Sequence, residues 1–295
     1  MPPTTDSIRA FLDYLSHEAA ASPLTIETYQ SDLRSFTAYA EERLGEPFVP
    51  SEGDLDLVRG WLSVKLDEGL KASTVGRCLT SVRSFYRHLL KTGQIKRNPI
   101  QALRPPKAAR PLPVYVPTED MEQMLSEEVD PTDWRAVRDH LILTMLYECG
   151  LRRSEIAGLR DQAVDTTERQ LKVLGKGRKE RIVPFGKGLA EEIEAWRHLR
   201  TSIFDTTESF FVSSKGTPMA PRAVYQVAHT ALAIVPNLSR RGAHVLRHTF
   251  ATDMLNSGAD LMLLRELMGH SSVSTTVRYT HTSFEQLKKL YAAHP

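Results

Sequence analysis

The sequence predicts a mostly α protein, with an N-terminal four-helix domain and a mixed α+β second domain carrying one small antiparallel sheet. Three observations predict it. Apolar residues recur at three- and four-residue spacing through most of the 295 residues. One stretch, residues 164–185, breaks that rhythm with two short β-type runs, LKVL and RIVPF. Residues 98–117, NPIQALRPPKAARPLPVYVP, hold six prolines and no acidic residue, which reads as an interdomain linker. The organisation that follows is a helical domain over 1–97, a basic proline-rich linker over 98–117 and a second domain over 118–295.

Within the first domain, residues 7–18 make a short amphipathic helix with Ile8, Phe11, Leu12 and Leu15 on one side. Ser22-Pro23 opens the second, with serine as N-cap and proline at the first helical position, and Gly45 and Pro47 end it. Asp54 to Asp67 is the third helix. Ser73 is expected to cap the fourth, which runs through Thr92 and closes at Gly93. On that helix Leu79, Val82, Phe85, Tyr86 and Leu89 form the buried side. Arg83, Arg87 and Lys91 repeat every four residues along another side, with Arg77 near the same basic edge.

The second domain begins with helices over TEDMEQMLSEE, DWRAVRDHLILTMLYECG and RRSEIAGLR. The two β-type runs flank GKGRKE and form a hairpin with glycines in its turn, and FFV (210–212) is expected to be a third strand. From Lys187 the pattern is helical again to the end. Leu246, Phe250, Met254 and Leu255 supply the buried stripe of one late helix, and Gly269 ends another after the apolar run Leu261 to Met268.

Composition narrows the class. Hydrophobic residues at 41% and charged residues at 25% describe an ordinary globular protein. No apolar run approaches about 18 residues, so no membrane span and no membrane partner is expected. The opening MPPTTDSIRAFLDYL lacks a basic start followed by an apolar core and is not read as a secretory signal, which points to a cytoplasmic protein. Cys78 and Cys149 lie far apart in apolar helical contexts and are expected to be buried free thiols. Histidines show no HExxH-type spacing and there is no GxxxxGK[ST], so neither a metal nor a nucleotide cofactor is expected.

The net charge of +2 hides a strong asymmetry. Residues 1–56 carry three basic and eleven acidic side chains, whereas 57–110 carry twelve basic and two acidic. From Lys71 to Arg110 there are ten lysines or arginines and no Asp or Glu, as a one-sided contact with DNA requires. Arg77, Arg83, Arg87 and Lys91 are expected to bind DNA, on a helix lying along or in a groove. Arg104, Lys107 and Arg110 are placed to bind phosphates where the linker crosses a duplex.

The chemistry concentrates in the last sixth of the chain. His244 and Arg247 lie three apart on a helix and project from one face. His270 follows the helix-ending Gly269, and Tyr279 comes nine residues later, with no carboxylate among the four. Cations and hydrogen-bond donors without carboxylates suit an anionic transition state such as that of phosphodiester attack. Arginine fits because its planar fork meets two phosphate oxygens and stays charged. A phenol with a pKa of about 10 leaves more readily than an alkyl alcohol, so an aryl phosphate ester keeps the linkage reversible. Arg152, at a helix junction after Gly150-Leu151, precedes Glu155, which is placed to hold its guanidinium. Lys176, in the hairpin turn, is placed to protonate a leaving oxygen.

Taken in order, GLRRSE, GKGRKER, HVLRH, GHSS and Tyr279 resemble the tyrosine recombinase or phage-integrase family, and within it the Xer group, over nearly the whole chain. The resemblance implies a SAM-like core-binding domain followed by a catalytic domain, working without metal or ATP. It implies that Arg152 and Arg247 hold the non-bridging oxygens of the scissile phosphate and that Lys176 protonates the departing 5′ oxygen. His244 would contact the phosphate or help accept the tyrosine proton, His270 would complete the cradle, and Tyr279 would form a 3′-phosphotyrosyl link. It further implies a homo- or heterotetramer with a paralogous recombinase on a double-stranded recombination site, exchanging strands through a Holliday junction. A DNA translocase partner and a cytoplasmic, nucleoid-associated location go with that reading. Ala243 stands where many relatives have proline, and Asp253 where histidine is frequent.

Three activities use such a residue set. Resolution of chromosome dimers at cell division is the leading expectation; integration of a mobile element and type IB topoisomerase-like nicking and closing are alternatives. A DNA-binding regulator without catalysis is disfavoured, because all six chemical positions are present.

Overall fold

A computed structural model describes residues 4–19, 21–51, 53–107, 114–175, 180–204 and 207–269. The chain divides into two compact units, Met1–Pro111 and Leu112–Pro295.

The first unit holds α1 (Thr4–His17), α2 (Pro23–Leu44), α3 (Leu55–Asp67) and α4 (Ala72–Lys91). Short polar side chains set the starts of α2 and α3. Ser22 Oγ accepts the Thr25 amide at 3.2 Å, and Asp54 Oδ1 accepts the Leu57 amide at 2.7 Å, each satisfying a donor the helix cannot use internally. α4 is the central helix and buries Leu79, Val82, Phe85, Tyr86 and Leu89. Its aromatic neighbours pack around it: the Phe11 and Phe85 rings lie 5.7 Å apart, and Phe36 meets Trp61 edge-on at 5.4 Å. Each such large side chain contributes roughly 1.5–3 kcal/mol on burial.

Ser73 is not the cap of α4. The helix begins at Ala72, and Lys71 occupies the capping position with extended backbone and no side-chain cap. The Lys71 carbonyl already accepts the Thr74 and Val75 amides, at 2.8 and 3.1 Å, so Ser73 is inside the first turn.

The second unit is built on α6 (Trp134–Glu148), whose residues Leu141 to Tyr147 are all buried. A helix apolar on every side must be surrounded. It packs against α8 (Lys187–Ile203), α9 (Pro221–Ala231) and α10 (Ala243–Asn256). α5 (Thr118–Leu125), α7 (Arg153–Ala157) and α11 (Leu261–Leu267) complete the described helices. The sheet is antiparallel in the order β1 (Val164–Asp165), β2 (Gln170–Leu174), β3 (Glu180–Pro184), with Leu171 opposite Val183 and Val173 opposite Arg181.

Two sequence expectations change here. FFV (210–212) is not in the sheet; the third strand is Val164–Asp165. Phe210, Phe211 and Val212 are fully buried, and their segment makes only isolated bridges, Arg160 with Ser209 and Val212 with Pro218. Side chains supply further partners: the Trp196 indole donates to the Phe210 carbonyl at 3.0 Å, and Arg138 donates to that of Val212 at 3.0 Å. Leu255 is 41% exposed, whereas Leu246, Phe250 and Met254 are buried. The buried three repeat every four residues, and Leu255, one position on, is rotated away from them.

Cys78 and Cys149 are both buried and unpaired with each other. Burial pushes both thiols up. No described helix is long and apolar enough to cross a membrane.

Candidate active site

Gly150 adopts φ +57 between α6 and α7, a left-handed turn that a side chain would strain. A Cβ there would lie 2.3 Å from Phe250 Cδ1, so the site also requires the missing side chain. The turn puts Arg152 at the N-terminus of α7, where its amide donates to Glu155 Oε2 at 2.8 Å. The Arg152 side chain bends over the same carboxylate, with Nη1 donating to Glu155 Oε1 at 2.7 Å. Glu155 therefore does hold this guanidinium.

Arg247 reaches the same place from α10. It is buried, and its terminal nitrogens donate to the carbonyls of Gly150 and Met268. Its Nη1 lies 4.0 Å from Glu155 Oε2. Burial and then the nearby Arg152 push its pKa down to about 10, which leaves it charged at neutral pH.

A third guanidinium completes the cluster. Arg181, on β3, donates from both terminal nitrogens to the two Glu155 oxygens at 2.8 Å each, and from Nε to the Leu267 carbonyl at 2.6 Å. Glu155 is only 3% exposed. Burial raises its pKa, but the hydrogen bonds and charge of Arg181 and Arg152 outweigh that and hold the carboxyl below its ordinary range. Three arginines around one carboxylate leave two positive charges in surplus. Such a surplus is chemically suited to an anion.

His244 lies on α10 one turn before Arg247. It lines a cleft of about 640 Å³ with Arg153, Tyr225, His229, Arg240 and Arg241. Burial, then the charges of Arg153, Arg247, His248 and Arg152, lower the His244 pKa, so the ring is neutral at pH 7. Among the described residues, no group of three or more His, Cys, Asp or Glu is placed to hold a metal ion.

Of the six chemical positions singled out in the sequence, the structure brings Arg152 and Arg247 onto one carboxylate, with His244 on the same helix as Arg247. Lys176, His270 and Tyr279 lie outside the described residues. Gly175, which precedes Lys176, follows β2, and Gly269, which precedes His270, ends α11 with φ +66. Arg181 is the residue that sequence reasoning missed. Its signal is strand alternation: Arg181 and Val183 point inward, while Glu180 and Ile182 point out. An arginine on the inward face requires a buried anion.

The basic edge of α4 is partly as expected. Arg87 and Lys91 are exposed and Arg83 is half-buried; Lys91 Nζ sits 5.0 Å from the centre of the Tyr14 ring. Arg77 differs from them. Its two terminal nitrogens donate to Asp32 at 2.5 and 3.1 Å, which commits the guanidinium to a buried carboxylate. Arg104 and Lys107 are exposed in a segment without regular secondary structure beyond Leu103.

Residues 115–286 match the phage integrase family, and residues 8–93 match its N-terminal SAM-like domain. The chain belongs to the phage integrase family of tyrosine recombinases. It is 36% identical to the tyrosine recombinase XerC of Pelobacter propionicus, over 100% of this chain and 97% of that one. It is also 36% identical to the XerC of Escherichia coli, over 98% of this chain and 96% of the other. Among solved structures it shares its fold with the XerH site-specific recombinase bound to a palindromic difH substrate, with a TM-score of 0.71 and 22% identity, over 92% of this chain and 80% of that one. The Tn1549 transposon integrase in complex with transposon right-end DNA gives a TM-score of 0.70 at 18% identity, over 98% and 95% of the two chains. As a tyrosine recombinase, the enzyme breaks and rejoins DNA strands.

Proposed function

We propose that this recombinase resolves chromosome dimers at cell division, acting on a partly palindromic DNA site as a tetramer with itself or with a paralogous partner. The supporting observation is the convergence of Arg152 and Arg247 on Glu155, because two guanidiniums fixed side by side are what a scissile phosphate needs. Full-length similarity to proteins named XerC favours this reading over integration of a mobile element.

In the proposed reaction the Tyr279 oxygen attacks phosphorus while Arg152 and Arg247 stabilise the charge on the non-bridging oxygens. The bond to the 5′ oxygen breaks, and Lys176 supplies the proton that leaves with it. His244, neutral at the start, hydrogen-bonds the phosphate or takes up the phenolic proton, and His270 completes the cradle. The product is a 3′-phosphotyrosyl ester and a free 5′ hydroxyl. A 5′ hydroxyl from the partner duplex then reverses the step, so one ester replaces another at each stage and a Holliday junction forms between the two exchanges. Arg83, Arg87, Lys91, Arg104 and Lys107 contact backbone phosphates outside the reacting centre. Arg77 supports that surface from below through Asp32. A DNA translocase would bring distant sites together, and the setting would be the nucleoid in the cytoplasm.

The test starts with duplexes selected by the protein from random oligonucleotides. A nick beside the cleavage position traps the covalent adduct, and the Tyr279→Phe protein should bind the same duplex without forming it. An adduct that persists in that variant would sink the assignment. Recombination between two selected sites on one plasmid, by this chain alone or only with an added paralogue, separates the two tetramer compositions; relaxation by a monomer without synapsis would point to topoisomerase activity instead.

A further inference from the structure

Arg181 lies 29 positions after Arg152 in the chain, on a different element, and nothing in the proposed chemistry uses it. Its position is nevertheless tightly specified. The side chain is 7% exposed and spends both terminal nitrogens on Glu155 and its Nε on the Leu267 carbonyl. Three consecutive carbonyls at the end of α11 each accept from a different guanidinium: Leu267 from Arg181, Met268 from Arg247 and Gly269 from Arg152. One buried carboxylate and one helix end thus hold all three cations, and both holders are gripped by Arg181.

A carboxylate facing a single guanidinium can rotate about its last bond. A second, bidentate fork fixes its plane and so the direction in which the first is held. Arg152 is 28% exposed, so it has N–H groups to present outward, whereas Arg181 is closed in behind Glu155. Arg181 is also the second residue of β3, five positions after Lys176 in the chain.

We propose that Arg181 is a positioning residue for strand cleavage, fixing Glu155 and through it the Arg152 guanidinium while tying β3 to the end of α11. It rests on the reading of Arg152 as a phosphate-binding group. A purely architectural ion pair would stabilise the domain without acting through Arg152.

The full-length protein and the nicked duplex described above supply the test. Arg181→Gln, Arg152→Ala and the double variant are compared for adduct formation at saturating DNA and for affinity to intact duplex. Cleavage by Arg181→Gln should fall roughly 10²-fold, the scale of a misplaced reacting group, with affinity changed by less than about threefold. In the Arg152→Ala background the same substitution should slow cleavage by less than about threefold, because the group it orients is gone. Should Arg181→Gln show no cooperative thermal transition, Arg181→Lys, which keeps a charge beside Glu155, carries the same comparison. Equal losses in both backgrounds, or a wild-type rate for the folded Arg181 variant beside a slow Arg152→Ala, overturn the positioning role alone. A wild-type rate for Arg152→Ala overturns the phosphate role of Arg152 and this proposal with it.

Discussion

Arg77 grips Asp32 through both terminal nitrogens, at 2.5 and 3.1 Å, and Ser81 Oγ donates to the same carboxylate at 2.6 Å. The carboxylate is 9% exposed and the guanidinium 43%. Removing the arginine strands a nearly buried anion that keeps only weak neutral partners. Arg77→Ala is expected to destabilise the N-terminal unit by about 1–3 kcal/mol, and Arg77→Ala with Asp32→Asn by less, because both charges are then gone. Urea unfolding of the full-length protein, followed through the N-terminal tryptophan Trp61, checks the order of the three stabilities.

The exposed part of the same helix should behave differently. Replacing Arg83, Arg87 and Lys91 together by Gln removes three positive charges from positions that are exposed or half-buried. Stability should stay within about 0.5 kcal/mol of wild type. The salt dependence of duplex binding should flatten by about 2–3 units of slope. Anisotropy titrations across a range of salt would show it, and an unchanged slope would remove this face of α4 from the DNA surface.

Glu155 makes acid sensitivity predictable. Its folded-state carboxyl titrates below the ordinary 4.5, so its contribution is complete above that value and is lost as pH falls through the depressed folded value. Glu155→Gln removes this contribution and leaves three guanidiniums without their shared anion. The variant should lose about 3–5 kcal/mol at neutral pH, and its stability should fall less steeply than wild type below pH 4.5. Thermal melts at stepped pH compare the two slopes.

The His244 ring is neutral at pH 7 because burial, and then the charges of Arg153, Arg247 and Arg152, oppose its protonation. If its neutral form serves cleavage, the rate should fall on acidification with a midpoint below the ordinary 6.5. Arg153→Ala removes the charge that lowers the His244 pKa most, beside the cleft, and should move the midpoint upward. A pH–rate profile for adduct formation measures both, and a midpoint unmoved by the substitution would detach Arg153 from His244.

Gly150→Ala tests the turn that delivers Arg152. The left-handed backbone costs an L-residue roughly 1–2 kcal/mol, and the clash with the Phe250 ring roughly 1–3 kcal/mol more. Cleavage should fall with stability, because the Gly150 carbonyl is also a partner of Arg247. Melting temperature and adduct rate together would reveal a turn that tolerates the methyl group.

Local rules carried much of the fold. Ser22 and Asp54 cap helices because their oxygens reach an amide within three residues, and the buried face of α4 follows from spacing alone. Ser73 misled because the same chemistry occurs harmlessly inside a first turn. FFV misled because an apolar run says that a segment is buried, not which neighbour buries it. At the site, Glu155 was visible from Arg152 as a helical neighbour three positions away. Arg181 was not, since its bond to Glu155 spans 26 residues and two element types, and no sequence period encodes such a pairing.

The unequal count of charges around Glu155 also governs how the empty enzyme should respond to its solvent. Beside their attraction to Glu155, the three cations also repel one another, with two positive charges in excess. Multivalent oxyanions such as sulfate, by binding the folded form, should then act as a mild chaperone for the DNA-free protein. Duplex binding would deliver the same relief in a far more concentrated form, making the substrate itself a thermal protectant.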